Sequence, residues 1–449
     1  MLKELLKPEI EELIEEHRWR ELKEVLVEWN PSEVAYLLSD LKTRWAIILF
    51  RLLPKDFAYD VFSYLEPEKQ ELFLKELTQE ETIQIVEEMD PDDRTALFEE
   101  LPAELVQKII GGLTKAERDK AIKLLGYPED SVGRLMTTDY LTIKPDFTRD
   151  EALEYIRKFG KDKETINILY VVDNSGRLVD DVHLHDIIFA EPDEKIGNIL
   201  DGKVVYLSAY DDQEKALNIM KQYDYSVLPV VDSSGILVGI VTFDDILDVA
   251  EEEMTEDIHK ISSVIPIDIS YRNASPFRLY LKRVVWLIAL VLADLSASKI
   301  IEHFSYMIAA ITALAFFMPV LIDTGGNAGS QISTIIIRAL ATGEFKPKEL
   351  WKTILKELIV ALLLALSLGL IIFGITFLWR GITVNLAIVV GLSMLLIVIW
   401  SNLVGLLLPI IFNAVRIDPA VASSPLITTI ADASGLFIYF FTAKQILRF

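Results

Sequence analysis

The sequence predicts a multidomain membrane protein built from an α-helical superhelix, an α/β tandem of two like units and an all-α bundle of five transmembrane helices. Three observations predict it. An apolar residue returns every twelve positions between Leu41 and Leu113, a strand-and-helix segment recurs at an offset of 59, and the composition changes abruptly near residue 280.

That change of composition also bounds the function. Residues 1–280 hold 32 Lys+Arg and 60 Asp+Glu, a balance of −28, whereas residues 281–449 hold 12 and 8, a balance of +4. The acidic half is expected to be soluble and to favour cations. It argues against nucleic acid, because a phosphate backbone needs a basic footprint. The chain has no cysteine, and so no disulfide framework, thiolate metal site or thiol nucleophile. Its start, "MLKELLKPEIEELIEEHRWRELKEVL", lacks an apolar core followed by a cleavage site, and is expected to form an amphipathic, cytosol-facing helix rather than a secretory signal.

In the first region, 1–130, the repeating residues are Leu41, Leu53, Leu65, Leu77, Met89, Leu101 and Leu113. Turn or helix-start residues follow each of the last six, as in "LLPKD", "MDPDD" and "LTKAE"; Pro suits a first helical turn, and Thr or Asp caps it. A run of short helices, one per repeat and stacked as a superhelix, is expected.

In the second region, 131–250, "LYVVDNSGRLVDDVHLHDII" from Leu169 aligns with "LPVVDSSGILVGIVTFDDIL" from Leu228. Each copy reads as a strand, a tight Asp-x-Ser-Gly turn, a second strand and a helix start. Paired units of this kind, here near 131–190 and 195–250, resemble a tandem of cystathionine-β-synthase (CBS) domains, regulatory modules that often bind adenosine nucleotides.

The third region, 279–449, is expected to hold five spans, near 281–302, 306–341, 354–378, 383–411 and 417–443. The second is interrupted by "PVLIDTGGNAGSQIS", Pro319 to Ser333, which is polar, amide-rich and glycine-rich. With the N-terminus inside, the inner loops hold Lys282, Arg283, Arg338, Lys346, Lys348, Lys352, Lys356 and Arg416, against Lys299, Arg380, Lys444 and Arg448 outside. The excess predicts a multi-pass protein of the cytoplasmic (inner) membrane, with cytosolic N-terminal domains and an external C-terminus.

Four carboxylates fall within or beside the spans: Asp294, Asp323, Asp418 and Asp432. A charge at mid-helix costs about 2.5–3.5 kcal/mol on insertion scales, so each should be paired, solvated or on an ion path. Asp432 stands among apolar residues with no evident Lys, Arg or His partner, and a cation is its natural counter-charge. Asp418 and Asp323 are placed nearer the cytosolic ends of their spans, where capping or solvation competes with ion binding. Carboxylate, amide, hydroxyl and carbonyl oxygens, with only His303 and no cysteine, suit hard Mg²⁺, Ca²⁺ or Mn²⁺.

At this point the whole chain resembles the MgtE family of magnesium channels and transporters. The most specific matches are "FFMPVLIDTGGNAGSQISTIIIRALATGE" and "LVGLLLPIIFNAVRIDPAVASSPLITTIADASGLFIYFF". The resemblance implies a homodimer whose pore lies on the twofold axis within membrane lipid. It makes Asp432 the central selectivity carboxylate, with Gly325, Gly326 and Asn327 shaping the pore wall and Thr428 and Asp418 along the ion path. Ser424 stands where some members carry Asn beside the ion site.

"DDILDVAEEEMTED", Asp244 to Asp257, has eight carboxylates in fourteen residues and leads through a connecting segment, 251–278, into the first span. A solvated acidic helix is the plain reading of such a run. A second acidic set, Asp90, Asp92 and Asp93, caps one helical repeat. Like charges brought together repel unless a cation bridges them, so divalent ions should favour a compact state. The resemblance implies that Mg²⁺ bound between the helical domain, the CBS pair and the connecting plug helix closes the pore. Carried over, the regulatory ligands are Asp92, Asp93, Glu214, Asp224, Asp245 and Asp248, with Glu253, Glu256 and Asp257 farther along.

Gly239-x-x-Thr242-x-x-Asp245 resembles the hydroxyl-plus-carboxylate pattern that holds a ribose in nucleotide-binding CBS pairs. ATP is therefore a candidate ligand, with Tyr170 and Pro229 added to the nucleotide set. The first repeat has Asp180, His183 and Asp186 at the same places.

The chain is therefore expected to mediate Mg²⁺ uptake and not to be an enzyme. Alternatives are a divalent-cation-sensing receptor without transport and a transporter of Mn²⁺, Co²⁺ or Ca²⁺. An intramembrane hydrolase using Asp323 and Asp432 lacks a recognisable paired motif, and "TGGNAGS" lacks the Lys-Ser/Thr of a phosphate loop.

Overall fold

The computed structural model describes residues 9–10, 12–267, 271, 274–342 and 350–449. The chain divides into two compact units, Met1–Ala250 and Glu251–Phe449.

In the first unit, among the described residues, nine helices start at twelve-residue intervals: Trp19–Leu26, Pro31–Asp40, Thr43–Leu52, Lys55–Ser63, Pro67–Glu76, Gln79–Glu88, Pro91–Glu100, Ala103–Gly112 and Lys115–Leu125. The periodic residue explains the stacking. Leu53, Leu77, Met89, Leu101 and Leu113 each follow a helix directly, with extended backbone angles that stop it, and each is buried in one continuous core. A single apolar residue thus ends one helix and anchors the next turn. Thr78 forms a capping box with Glu81, satisfying backbone donors at both positions. Arg94 is fully buried, held by Glu117 at 2.7 Å and by the Val86 carbonyl at 3.3 Å.

The tandem α/β part repeats faithfully. Strands β1 (Thr142–Ile143), β2 (Ile168–Val172) and β3 (Leu178–His183) form one sheet, and β4 (Leu207–Ser208), β5 (Val227–Val231) and β6 (Leu237–Thr242) another. In each the first pairing is parallel and the second antiparallel, with a register shift at Val171/Val172 and at Val230/Val231, 59 residues apart. The expected turns are present. Asp173 accepts from Ser175 and Arg177 backbone N–H groups, Asp232 from Ser234 and Ile236, and the left-handed residues are Gly176 and Gly235. Ile168, Tyr170 and Val172 pack against Val227, Leu237 and Ile240, so the two sheets share an apolar interface.

In the second unit the long helices are Pro276–His303, Ala313–Ala341, Leu350–Leu378, Val384–Ala414 and Ser424–Leu447. Among the described residues, four are long and apolar enough to cross a membrane; the polar run of Ala313–Ala341 sets it apart from them. Ala313–Ala341 packs on Val384–Ala414 and on Ser424–Leu447, which also pack on each other, while Pro276–His303 lies against Ser424–Leu447.

Two expectations change here. The helix is not interrupted over Pro319 to Ser333: it runs unbroken through Pro319, and the break falls earlier, between a short helix Ser305–Ala310 and Ala313. The fifth long helix starts at Ser424, after a 3₁₀ turn Pro419–Val421, not at 417. Lys346 and Lys348 lie outside the described residues.

The glycines of the polar run serve close approach, not a bend. A Cβ on Gly329 would come within 2.9 Å of the Ser401 carbonyl oxygen, and one on Gly405 would fall onto the Gly329 carbonyl oxygen. Gly405→Ala is expected to destabilise this unit by about 1–3 kcal/mol, seen as a lower thermal midpoint in detergent. Gly374→Ala, where an added Cβ meets nothing within 4 Å, should show no loss.

Candidate functional site

The helix interface that the glycines close also positions the intramembrane polar groups. Ser330 Oγ reaches the Ser424 carbonyl and Thr428 Oγ1, both at 3.3 Å, and Gly326 abuts Thr428. Asn327 donates to Asp323 at 3.1 Å, one turn earlier on the same exposed face. Trp400 Nε1 donates to Ser434 Oγ at 2.8 Å, two residues past Asp432.

Asp432 itself is half-buried, and its Oδ1 is sealed from solvent with no hydrogen-bond partner. The charged groups whose field reaches it are Asp294 and Asp323, both negative. These two carboxylates lie on two other helices, Pro276–His303 and Ala313–Ala341. Asp323 is the eleventh residue of the 29-residue Ala313–Ala341 helix, in the half that the expected topology turns outward, rather than near the cytosolic end.

Asp418 is differently engaged. Its Oδ1 accepts from the Ala420 N–H at 2.8 Å and caps the 3₁₀ turn, while its Oδ2 accepts from Lys260 at 2.6 Å. Both oxygens already have protein partners, which matches the capping role and not the pore ligation expected for it. Lys260 also pairs with Glu256 at 2.7 Å. Partial burial works against its charge, but these carboxylates hold its pKa above the usual value. Asp257 is raised by burial and by Asp418. Ser263 and Ser423 share a buried hydrogen bond at 2.6 Å, so the segment after Ile261 is tied to the turn before Ser424.

The other acidic site lies within the first unit. Asp92 and Asp93, in the first turn of Pro91–Glu100, face Asp244, Asp245 and Asp248, at the start of the Phe243–Ile261 helix. Burial, then Asp245, Asp93 and Glu164, push Asp92 well above the ordinary carboxylate range, and its Oδ1 is buried with no partner. Burial pushes Asp93 up to about 6 despite a Ser63 hydrogen bond, and Asp245 up to about 7 despite one from Thr242. Glu164, at the surface in the loop before β2, is pushed up to about 7 by partial desolvation and by Asp90, Asp244 and Asp93. Nothing in its own stretch, "KDKETINIL", marks Glu164 as part of this group.

The remaining predicted ligands are spread out. Glu214 begins and Asp224 ends the Gln213–Tyr223 helix, on the order of 15 Å apart, so one chain does not bring them together. Glu253 lies on the Phe243–Ile261 helix and is half-buried. Among the described residues, no three His, Asp or Glu side chains converge closely enough to hold a metal ion directly. An ion at either carboxylate group would rely on few direct ligands and retained waters, as Mg²⁺ does.

The nucleotide residues are also redistributed. Tyr170 is fully buried between the two sheets, its hydroxyl unpartnered, and Pro229 is buried in β5. The Thr242 hydroxyl donates to Asp244 and, at 2.7 Å, to Asp245, which belongs to the acidic group. None of the four lines the cavity of about 600 Å³ in the first repeat, whose walls include Asn167, His183, His185, Asp186 and Phe189. His183 and Asp186 occupy the places that Thr242 and Asp245 hold in the second repeat.

Comparison with known proteins bears on all three regions. Family models match for MgtE, a divalent cation transporter, over residues 318–442, for the MgtE intracellular N domain over 29–130, and for the CBS domain over 132–193 and 196–252. The Magnesium transporter MgtE of Thermus thermophilus is 41% identical over 451 residues, covering 100% of each chain. That of Bacillus subtilis is 32% identical over 437 residues, covering 97% of this chain and 96% of its own. A crystal structure of the cytosolic domain of the Mg²⁺ channel MgtE in complex with ATP is similar with a TM-score of 0.52 at 38% identity, covering 54% of this chain and 100% of that one.

The acidic group has a pH signature. Its carboxylates keep protons in the folded chain that they lose on unfolding, so stability is full below about pH 4 and falls as pH rises through 6 and 7. In chelator, the thermal midpoint of the N-terminal unit is expected to drop by about 5 °C or more between pH 5 and pH 8, measured by calorimetry of the whole chain in detergent. Asp93→Asn should flatten that slope.

Proposed function

Because the chain belongs to the MgtE family of magnesium transporters, we propose that it is a homodimeric, Mg²⁺-selective channel for uptake across the cytoplasmic membrane, gated closed by Mg²⁺ at its acidic cytosolic groups. The observation that carries the conduction reading is Asp432: a carboxylate oxygen sealed from solvent without a donor, in the negative field of Asp294 and Asp323. A permeant cation supplies the missing counter-charge. Asn327, Ser330 and Thr428 surround the path with neutral oxygen and amide groups suited to the waters of a hydrated ion. Two such chains about a common axis would double the Asp432 charge without adding a basic residue.

The gating reading rests on the acidic group of the first unit. Burial and, after it, the neighbouring carboxylates disfavour the charged forms of Asp92 and Asp245, and a divalent ion would offset both. One helix, Phe243–Ile261, carries Asp244, Asp245 and Asp248 at its start and Asp257 and Lys260 near its end. It is the natural carrier of the signal from cytosolic ion to pore. The domain division in this proposal is 1–130, 131–250, 251–278 and 279–449, with the N-terminal parts cytosolic and the C-terminus external.

ATP enters as a regulator held by the CBS pair. The relative crystallised with ATP supports a nucleotide there, and the cavity beside His183 and Asp186 has the volume of a small-molecule site.

Purified protein in liposomes tests the proposal. Wild type is expected to pass Mg²⁺ without a Na⁺ gradient, and a folded Asp432→Ala dimer to fall to the leak of empty liposomes. Unchanged flux in that variant would overturn the Asp432 assignment, and no flux in the wild type would favour a receptor. Flux that follows a Na⁺ gradient would replace the channel by a coupled transporter.

A further inference from the structure

The stretch that closes the Phe243–Ile261 helix is fastened to the start of the helix that carries Asp432. Lys260 Nζ reaches Asp418 Oδ2 at 2.6 Å and Glu256 Oε1 at 2.7 Å. Ser263 has a φ of 56°, a left-handed conformation that disfavours residues with a Cβ. From there its hydroxyl meets that of Ser423 at 2.6 Å, and both serines are buried. Between these two contacts Ile261 packs on Ile337, Ala420 and Ala422, at the end of the Ala313–Ala341 helix and in the turn before Ser424.

Ser423 has a second use that it does not make here. It stands directly before the Ser424–Leu447 helix with the extended angles of an N-cap, yet its side chain caps nothing. A capping hydroxyl accepts from the second or third N–H of its helix, and the second residue is Pro425, which has none. Leu426 N–H is therefore its local partner, one of the donors that a helix start leaves without an intrahelical acceptor. Asp418 is divided in the same way, one oxygen on the 3₁₀ turn and the other on Lys260. Both residues that shape the entry to this helix thus have a partner in the segment before the spans.

Resting on the gating reading above, we propose that Lys260 and Ser263 are positioning residues that latch the Asp432 helix in the closed state. Lys260 brings the chain's own cation to Asp418, and Ser263 draws the Ser423 hydroxyl away from its helix. Ile261, seated between them, fills the ends of the elements that must part for an ion to pass. On opening, the segment withdraws and the Ser423 hydroxyl exchanges Ser263 for the Leu426 N–H. Two discrete partners for one hydroxyl, on the helix that carries Asp432, give the bistable element that gating needs.

The chain has no cysteine, so Ser263→Cys combined with Ser423→Cys makes a single designed pair, and hydroxyls 2.6 Å apart put the two side chains within disulfide reach. The whole chain is oxidised in liposomes, and Mg²⁺ flux is followed with little Mg²⁺ on the side of the N-terminal domains. A disulfide within one chain is expected, with flux near the leak of empty liposomes and recovery on reduction. An oxidised pair that conducts like wild type overturns the latch, as does a pair that fails to cross-link or cross-links only between chains. Lys260→Met is expected to conduct about three- to fivefold more than wild type at saturating Mg²⁺. Lys260→Asp combined with Asp418→Lys should restore closure. Wild-type closure in Lys260→Met, or a swapped pair no better than Lys260→Met, removes Lys260 from the latch. If wild type is not closed by Mg²⁺ while the oxidised pair still stops flux, the gating reading fails and the latch stands. If Mg²⁺ closes wild type and the oxidised pair conducts, the latch fails alone.

Discussion

A carboxylate taken out of water must find a proton, a donor or a positive charge, and one buried oxygen each of Asp92 and Asp432 finds no donor among the described residues. In the membrane unit, Asp432 has an oxygen without a donor, and among the described residues the charges whose field reaches it are Asp294 and Asp323, both negative. In the N-terminal unit, burial first and neighbouring carboxylates second push Asp92, Asp93, Asp245 and Glu164 up the pH scale. The rest of the structure can be understood as the scaffold that holds these groups together against their repulsion. Buried unpaired charge of this kind is retained where it binds something.

The chain does pair its charges where it needs only rigidity. Arg94 with Glu117, and Asp139 with Lys120 and Lys163, are matched, and Asp418 is matched twice. The contrast runs along a single helix. At the start of Phe243–Ile261 the carboxylates face other carboxylates, whereas near its end Lys260 bridges Glu256 and Asp418. The end is thus fixed by ion pairs, whereas at the start Asp244 and Asp245 share the Thr242 hydroxyl, and in the proposed gating this is the part that answers to ions. That is the physical requirement for a switch.

Much of this was legible in the sequence because it is periodic. The twelve-residue spacing marked the residues that end each helix and enter the core, and the offset of 59 matched both sheets down to their register shifts. Less legible was what polar residues do when packed. The run Pro319 to Ser333 looked like a break, yet its glycines bring helices together and its hydroxyls bond across them, so the helix persists. Asp418 resembled an ion ligand by position, and only the approach of Lys260, 158 residues away, shows how it is used. Glu164 carried no local signal, since the carboxylates whose field reaches it belong to two distant helices. Composition and spacing record local rules, whereas counter-charges are assigned by tertiary contact.

The central claim is that these orphaned carboxylates are completed by a divalent cation. Anomalous diffraction from crystals of the whole chain grown with Mn²⁺ in place of Mg²⁺ tests it most directly. The account predicts Mn²⁺ peaks beside Asp432 and among Asp92, Asp93 and Asp245. Crystals at saturating Mn²⁺ in which both places are bare, with each carboxylate instead paired to Lys or Arg, would contradict it.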